Sequence, residues 1–252
     1  MPTLTPACKF LREVDSDWCA LVDDMGPCPL SAKSSATKAS DEREPWQALA
    51  RAVAGQQVHG KAAEAIFGRF LRLYDDQADG PAYPSPELVL ATEPDVLRGC
   101  GLSAAKTKAI IALAYGAVSG EVPTLAQART LSDEALTELL TALPGIGPWT
   151  VQMFLMHTLR RPDVMPVADF GVREGWRLLK GLERQPTPKA LLLEAEAWRP
   201  HRSAAAWYLW RAVDRVKRDF NSNNASSFII AGVIFAVAMV LAVVIAVNMV
   251  LP

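Results

Sequence analysis

Two glycines one residue apart, framed by prolines in Leu143-Pro144-Gly145-Ile146-Gly147-Pro148, constrain this chain more than any other stretch. Before them, Ser132 can cap a helix whose first turn holds Asp133 and Glu134 and whose one face carries Leu136, Leu139, Leu140 and Leu143. After them, Pro148 suits the first position of a second helix running to about Arg160. The spacing therefore predicts a helix, a tight glycine hairpin and a second helix over 133–160. Glycines let such a hairpin bring its backbone N–H groups close to an anion, and the second helix adds its positive end. A DNA phosphate fits that geometry and would be held without sequence being read. The same turn also serves as a plain corner between packed helices, so the hairpin alone leaves both readings open.

The rest of the sequence reads as helix after helix, with no run of alternating strand residues, and the fold class is all-α. A first helix is expected over Glu13 to Met25, then a polar loop over Ser31 to Glu44. Pro45 opens a helix carrying Trp46, Leu49, Ala50 and Val53 on one face. Further helices are expected at Lys61 to Tyr74, Pro86 to Thr92, Glu93 to Gly99, Ser103 to Ser119 and Thr124 to Arg129, with a turn-rich link at Asp79 to Pro86. Half of the 252 residues are hydrophobic, enough for one large core or two lobes sharing a cleft. The net charge of -1 gives no general basic field, so any nucleic-acid face is local. Cys8, Cys19, Cys28 and Cys100 lack metal-ligand spacing and read as reduced, packed thiols; no metal and no cofactor is expected.

Phe228 to Val247 is an unbroken apolar run of about 20 residues, roughly 30 Å as a helix and matched to a bilayer core. It is expected as a transmembrane segment, joined through a polar linker at 219–227 to a helical domain at 1–218. Lys217 and Arg218 precede it, which by the positive-inside bias keeps the domain cytoplasmic. A native tail anchor making membrane contact and an appended segment are both open.

Five separated motifs resemble one family. They are Ala54-Gly55-Gln56-Gln57-Val58, Gly101-Leu102-Ser103-Ala104-Ala105-Lys106, the hairpin continuing through Trp149-Thr150, Met165-Pro166-Val167-Ala168-Asp169-Phe170, and Trp198-Arg199-Pro200-His201-Arg202-Ser203 leading to Trp207-Tyr208-Leu209-Trp210. In order and spacing they resemble the helix-hairpin-helix DNA glycosylase superfamily, most of all its 3-methyladenine DNA glycosylase II branch, over roughly residues 8 to 217. The resemblance implies a two-lobed helical fold, double-stranded DNA containing alkylated bases as partner, and a chromosome-associated monomer that excises alkylated purines in base-excision repair.

It also implies roles. Asp169 matches the catalytic carboxylate, which stabilises positive charge on the sugar as the N-glycosidic bond breaks. The same residue read alone is an ordinary helix N-cap. Trp149 and Trp210 match pocket aromatics, Phe170 is a third wall, and Met153 stands where relatives carry tyrosine. Gln57 matches the residue that fills the gap left by the extruded base, while Gly145, Ile146, Gly147, Thr150 and Lys106 are expected at the DNA. Bifunctional relatives carry a hairpin lysine where this chain has Trp149, so a water-using, monofunctional enzyme leaving an abasic site is expected. Glu174, about 140° around a helix from Asp169, is not a natural acid partner. His157 reads as structural. The alternatives are a glycosylase for oxidised or mismatched bases and a non-catalytic DNA-binding module.

Overall fold

The computed structural model describes residues 4–30, 43–58, 60–75, 83–216 and 218. All secondary structure among them is helical: α1 (Pro6–Arg12), α2 (Ser16–Met25), α3 (Pro45–Gly55), α4 (Gly60–Arg72), α5 (Pro86–Leu90), α6 (Pro94–Gly99), α7 (Ala104–Ser119), α8 (Leu125–Thr130), α9 (Asp133–Thr141), α10 (Pro148–His157), α11 (Phe170–Leu179) and α12 (Pro188–Ala195). A last helix, α13, covers 202–216.

Punctuation residues set these limits. Pro45, Pro86, Pro94 and Pro148 stand at helix starts, where the missing N–H costs nothing. Ser103, Thr124 and Ser132 each accept a bond from the third residue of the helix that follows. One expectation fails. The helix foreseen over Glu13 to Met25 starts only at Ser16, because Asp15 takes an extended conformation and accepts from the backbone N–H groups of Asp17 and Trp18 at 2.9 and 3.0 Å; α1, which was not foreseen, precedes it. The side chain thus competes with helical continuation and opens α2. Thr5 and Pro6 start α1 by the same devices.

α3, with Leu49, Val53 and Ala54 fully buried, packs against α4, α7 and α10. Burying each such leucine or valine contributes about 1.5–3 kcal/mol. α1, α2, α11 and α13 form the other part of the molecule, around Trp18, Trp176 and Trp198, whose ring centroids lie 4.9 to 6.3 Å apart. Lys180, just past α11, ties that helix to the start of α2 through Asp15 and Asp17, each 2.7 Å away. One hydrophobic cluster runs through both parts.

No helix among the described residues is long and apolar enough to cross a membrane. The expected linker at 219–227, the apolar run at 228–247, most of the polar loop and half of the turn-rich link lie outside the described residues.

Candidate active site

Asp169 precedes α11 in an extended conformation and accepts from the Val172 N–H at 2.8 Å, so the N-cap reading of this residue holds. Capping occupies only part of the carboxylate. The indole N–H of Trp210 donates to the same oxygen, Oδ1, at 2.9 Å, and the indole N–H of Trp149 donates to Oδ2 at 2.7 Å. Three N–H donors from three elements therefore fix one half-buried carboxylate in a single orientation. The two tryptophans foreseen as stacking walls turn their polar edges to Asp169. Gly171 permits this, since a Cβ at that position would stand 2.8 Å from Trp210 Cδ1 and 3.2 Å from Asp169 Oδ1.

The hairpin lies at the head of α10. Gly145 has φ of +79°, and a Cβ there would meet the Ala109 Cβ at 2.5 Å, so both the turn and its seat on α7 require glycine. Ile146 buries its side chain in the core at 4% exposure, which leaves its backbone for any contact with a strand. Gly147 caps α10 without a side-chain bond.

The other residues expected at DNA divide. Gln57 is exposed and has a left-handed φ of 55°, unusual for a non-glycine residue and in keeping with a residue presented outward. Thr150 does not face outward: it is 1% exposed, and its hydroxyl accepts from Gln56 Nε2 at 2.9 Å. The same Gln56 amide donates to the Gly145 carbonyl at 3.1 Å, joining the Gln57 loop to the hairpin. Lys106 is partly exposed. Its ammonium donates to the Ala54 carbonyl at 2.9 Å, capping the C-terminal end of α3, and burial lowers its pKa.

A cleft of about 580 Å³ opens between α3 and α10. Trp149, Met153 and His157 line it from α10, and Ala48, Arg51 and Gly55 from α3. Asp169 itself does not line this cleft; Trp149 does, and its indole N–H joins the two. Phe170 is 68% exposed and stands outside it. Glu174 is engaged elsewhere: Arg177 approaches to 2.7 Å and Gln185 to 2.8 Å. The Arg177 hydrogen bond outweighs desolvation and holds its pKa below the ordinary range. As a standing carboxylate turned to other partners, Glu174 is no proton donor to Asp169's substrate.

Gln56, Gly171 and His157 were missed as site residues. Gly171 carried a usable signal, a glycine in a first helical turn two residues from an acid. His157 carried another, since it continues the Trp149, Met153 spacing of four along one helix face.

Residues 50–200 match the family described as HhH-GPD superfamily base excision DNA repair protein. A second family, a protein of unknown function (DUF2970), matches residues 211–251. The chain is 39% identical over 209 residues to DNA-3-methyladenine glycosylase 1 of Schizosaccharomyces pombe, covering 83% of this chain and 87% of that one. A solved structure of the 3-methyladenine DNA glycosylase of that organism in complex with abasic DNA superposes with a TM-score of 0.72, over 82% of this chain and 96% of that one, at 39% identity. A structure of MBOgg1 with a low-affinity DNA ligand, 15% identical, shares the fold with a TM-score of 0.70. With the glycine hairpin, the capping carboxylate and the matched span together, the chain belongs to the helix-hairpin-helix HhH-GPD superfamily of base-excision DNA repair proteins.

Proposed function

We propose that this protein is a monofunctional DNA glycosylase that extrudes an alkylated purine, such as 3-methyladenine or 7-methylguanine, from duplex DNA and hydrolyses its N-glycosidic bond. The product is an abasic site. The observation that carries the reading is the Asp169 carboxylate, held by three N–H donors beside a cleft that Trp149 also lines.

The chemistry follows from charge. As the bond stretches, the sugar becomes oxocarbenium-like, and a carboxylate already fixed beside it lowers the barrier without reorganising. Oδ2 carries one hydrogen bond against two on Oδ1, so Oδ2 retains more acceptor capacity for the sugar or the attacking water. A neutral base would also need an acid, but the nearest alternative carboxylate on α11, Glu174, is tied to Arg177 and Gln185. A purine alkylated at N3 or N7 already bears positive charge and leaves without one. With tryptophan at 149 there is no amine nucleophile in the hairpin helix, so water is the acceptor. The hairpin backbone grips phosphate, and Gln57 fills the space left by the extruded base. The glycosylase relatives and their lesion class support this assignment.

The test is release of free methylated bases from methylated duplex by the parent and by Asp169→Asn. Asparagine caps a helix as well as aspartate does, so the variant stays folded. It loses on the order of 10² to 10³ in turnover. Strand breaks appear only after alkali; no release by the parent would overturn the assignment.

We further propose a cytoplasmic, chromosome-associated monomer with a catalytic domain at 1–218 and an anchoring segment at 228–247. The family match over 211–251 supports a native segment rather than an appended one. Membrane retention of the full chain and release after removal of residues 219–252 would support the anchor. Equal fractionation of both forms would overturn it.

A further inference from the structure

Phe170, next to Asp169 in the chain, has no part in the chemistry above. It is the first residue of α11 and is 68% exposed. A single apolar side chain on a surface is ordinary; the position of this one sets it apart. Among the described residues, Phe170 belongs neither to the hydrophobic cluster nor to the apolar side chains packed against it. The side chains one turn further along α11, which could fold over the ring, are drawn elsewhere. Arg173 donates to the Pro186 carbonyl at 3.5 Å, and Glu174 accepts from Arg177 and Gln185.

The neighbouring residues indicate what covers the ring. Consecutive Cα atoms are about 3.8 Å apart, so the ring is carried one residue from the carboxylate that meets the sugar. Ala168, on the other side of Asp169, is also exposed, so the approach to the half-buried carboxylate runs between two exposed residues. Helical side chains lean toward the N-terminus, which from the first position of α11 is the side of that approach. Gly171 faces another way, since a Cβ there would meet Trp210 at 2.8 Å. The extruded base enters the cleft lined by Trp149, and Phe170 stands outside that cleft. Its ring therefore meets the strand rather than the extruded base.

We infer that Phe170 is a positioning residue for the duplex: its ring packs on the base that flanks the extruded nucleotide in the same strand and keeps the sugar of that nucleotide against Asp169. This rests on the reading of Asp169 as the carboxylate that meets the sugar. Extrusion strips the flanking base of one stacking partner, and an uncharged aromatic face replaces it whatever the sequence. Gln57 comes from the loop after α3 and Phe170 from the start of α11, so two separate elements hold the vacated step.

The test is anisotropy across a salt series, with full-length protein, on a duplex carrying an abasic-site analogue and on the same duplex undamaged. Phe170→Ala weakens abasic-duplex binding about 5- to 50-fold and undamaged-duplex binding by less than about twofold. Phe170→Tyr, which keeps an aromatic face, binds the abasic duplex within about threefold of the parent. Neither variant changes the dependence of affinity on salt, because an uncharged ring releases no counterions. Both melt within about 2 °C of the parent, since the ring is outside the core. Parental abasic-duplex binding by Phe170→Ala would overturn the inference. An equal loss on undamaged duplex, an equal loss in Phe170→Tyr, an altered salt dependence or a larger fall in melting temperature would each do the same. A parent that releases no methylated base yet shows the Phe170→Ala deficit would uphold this contact and overturn the alkylpurine reading alone.

Discussion

At the scale of the residue, one carboxylate serves two purposes at once. Asp169 starts α11 through Val172 and receives both pocket indoles. Trp149→Phe separates orientation from stacking, because phenylalanine keeps an aromatic face and loses the N–H. A charge-assisted hydrogen bond of about 1.5–3 kcal/mol is removed. We expect kcat for base release to fall about 10- to 100-fold. KM should change little and Tm should fall by about 3 to 12 °C, as steady-state kinetics and thermal unfolding would show. The sequence motifs pointed to the aspartate and the tryptophans, but gave no hint that the indole edges face the acid. That depends on how α10, α11 and α13 meet, which three residues far apart in the chain do not reveal. Gly171 could be seen as a glycine, but its reason, the close approach of Trp210, exists only in three dimensions.

At the scale of the element, the hairpin and most helix starts were legible because they rest on local devices: proline at the first position, serine, threonine or aspartate before it, glycine at the turn. The start of the helix expected over Glu13 to Met25 was misplaced by three residues for the same kind of cause, an aspartate cap at Asp15, and α1 before it was missed. The polar residues assigned to DNA fared unevenly. Thr150 is buried, and Lys106, still partly exposed, spends one of its three N–H donors on Ala54; a sequence does not tell a lysine that caps a helix from one that meets phosphate. Gly145→Ala tests the hairpin. Its left-handed conformation costs about 1–2 kcal/mol for a side chain, before the contact with Ala109 is counted. We expect a Tm lower by about 3 to 8 °C and weaker duplex binding. Adding Ala109→Gly should recover part of the loss by relieving the contact but not the φ angle; calorimetry and fluorescence anisotropy on the same proteins would report both.

At the scale of the whole molecule, a chain with net charge -1 is expected to hold a polyanion through few ionic contacts. Hairpin N–H groups and the start of α10 supply local positive potential without lysines, and Lys106 is bonded to the end of α3. The logarithm of duplex affinity should therefore fall with the logarithm of salt at a slope of only about -2 to -4, measured by anisotropy across a salt series. A slope steeper than about -6 would mean a basic face other than the hairpin. The bracing of the Gln57 loop has a mechanical consequence. Gln56 pins that loop to the hairpin, and Lys106 clamps the end of the helix that leads into it. In the proposed roles of Gln57 and the hairpin, wedge and grip would form a single stiff tool, and load on the strand would pass straight to the base stack. A weakly paired nucleotide would yield to that push sooner than a sound one, so on these proposed roles damage would be sorted by how easily the duplex gives way before the carboxylate is engaged.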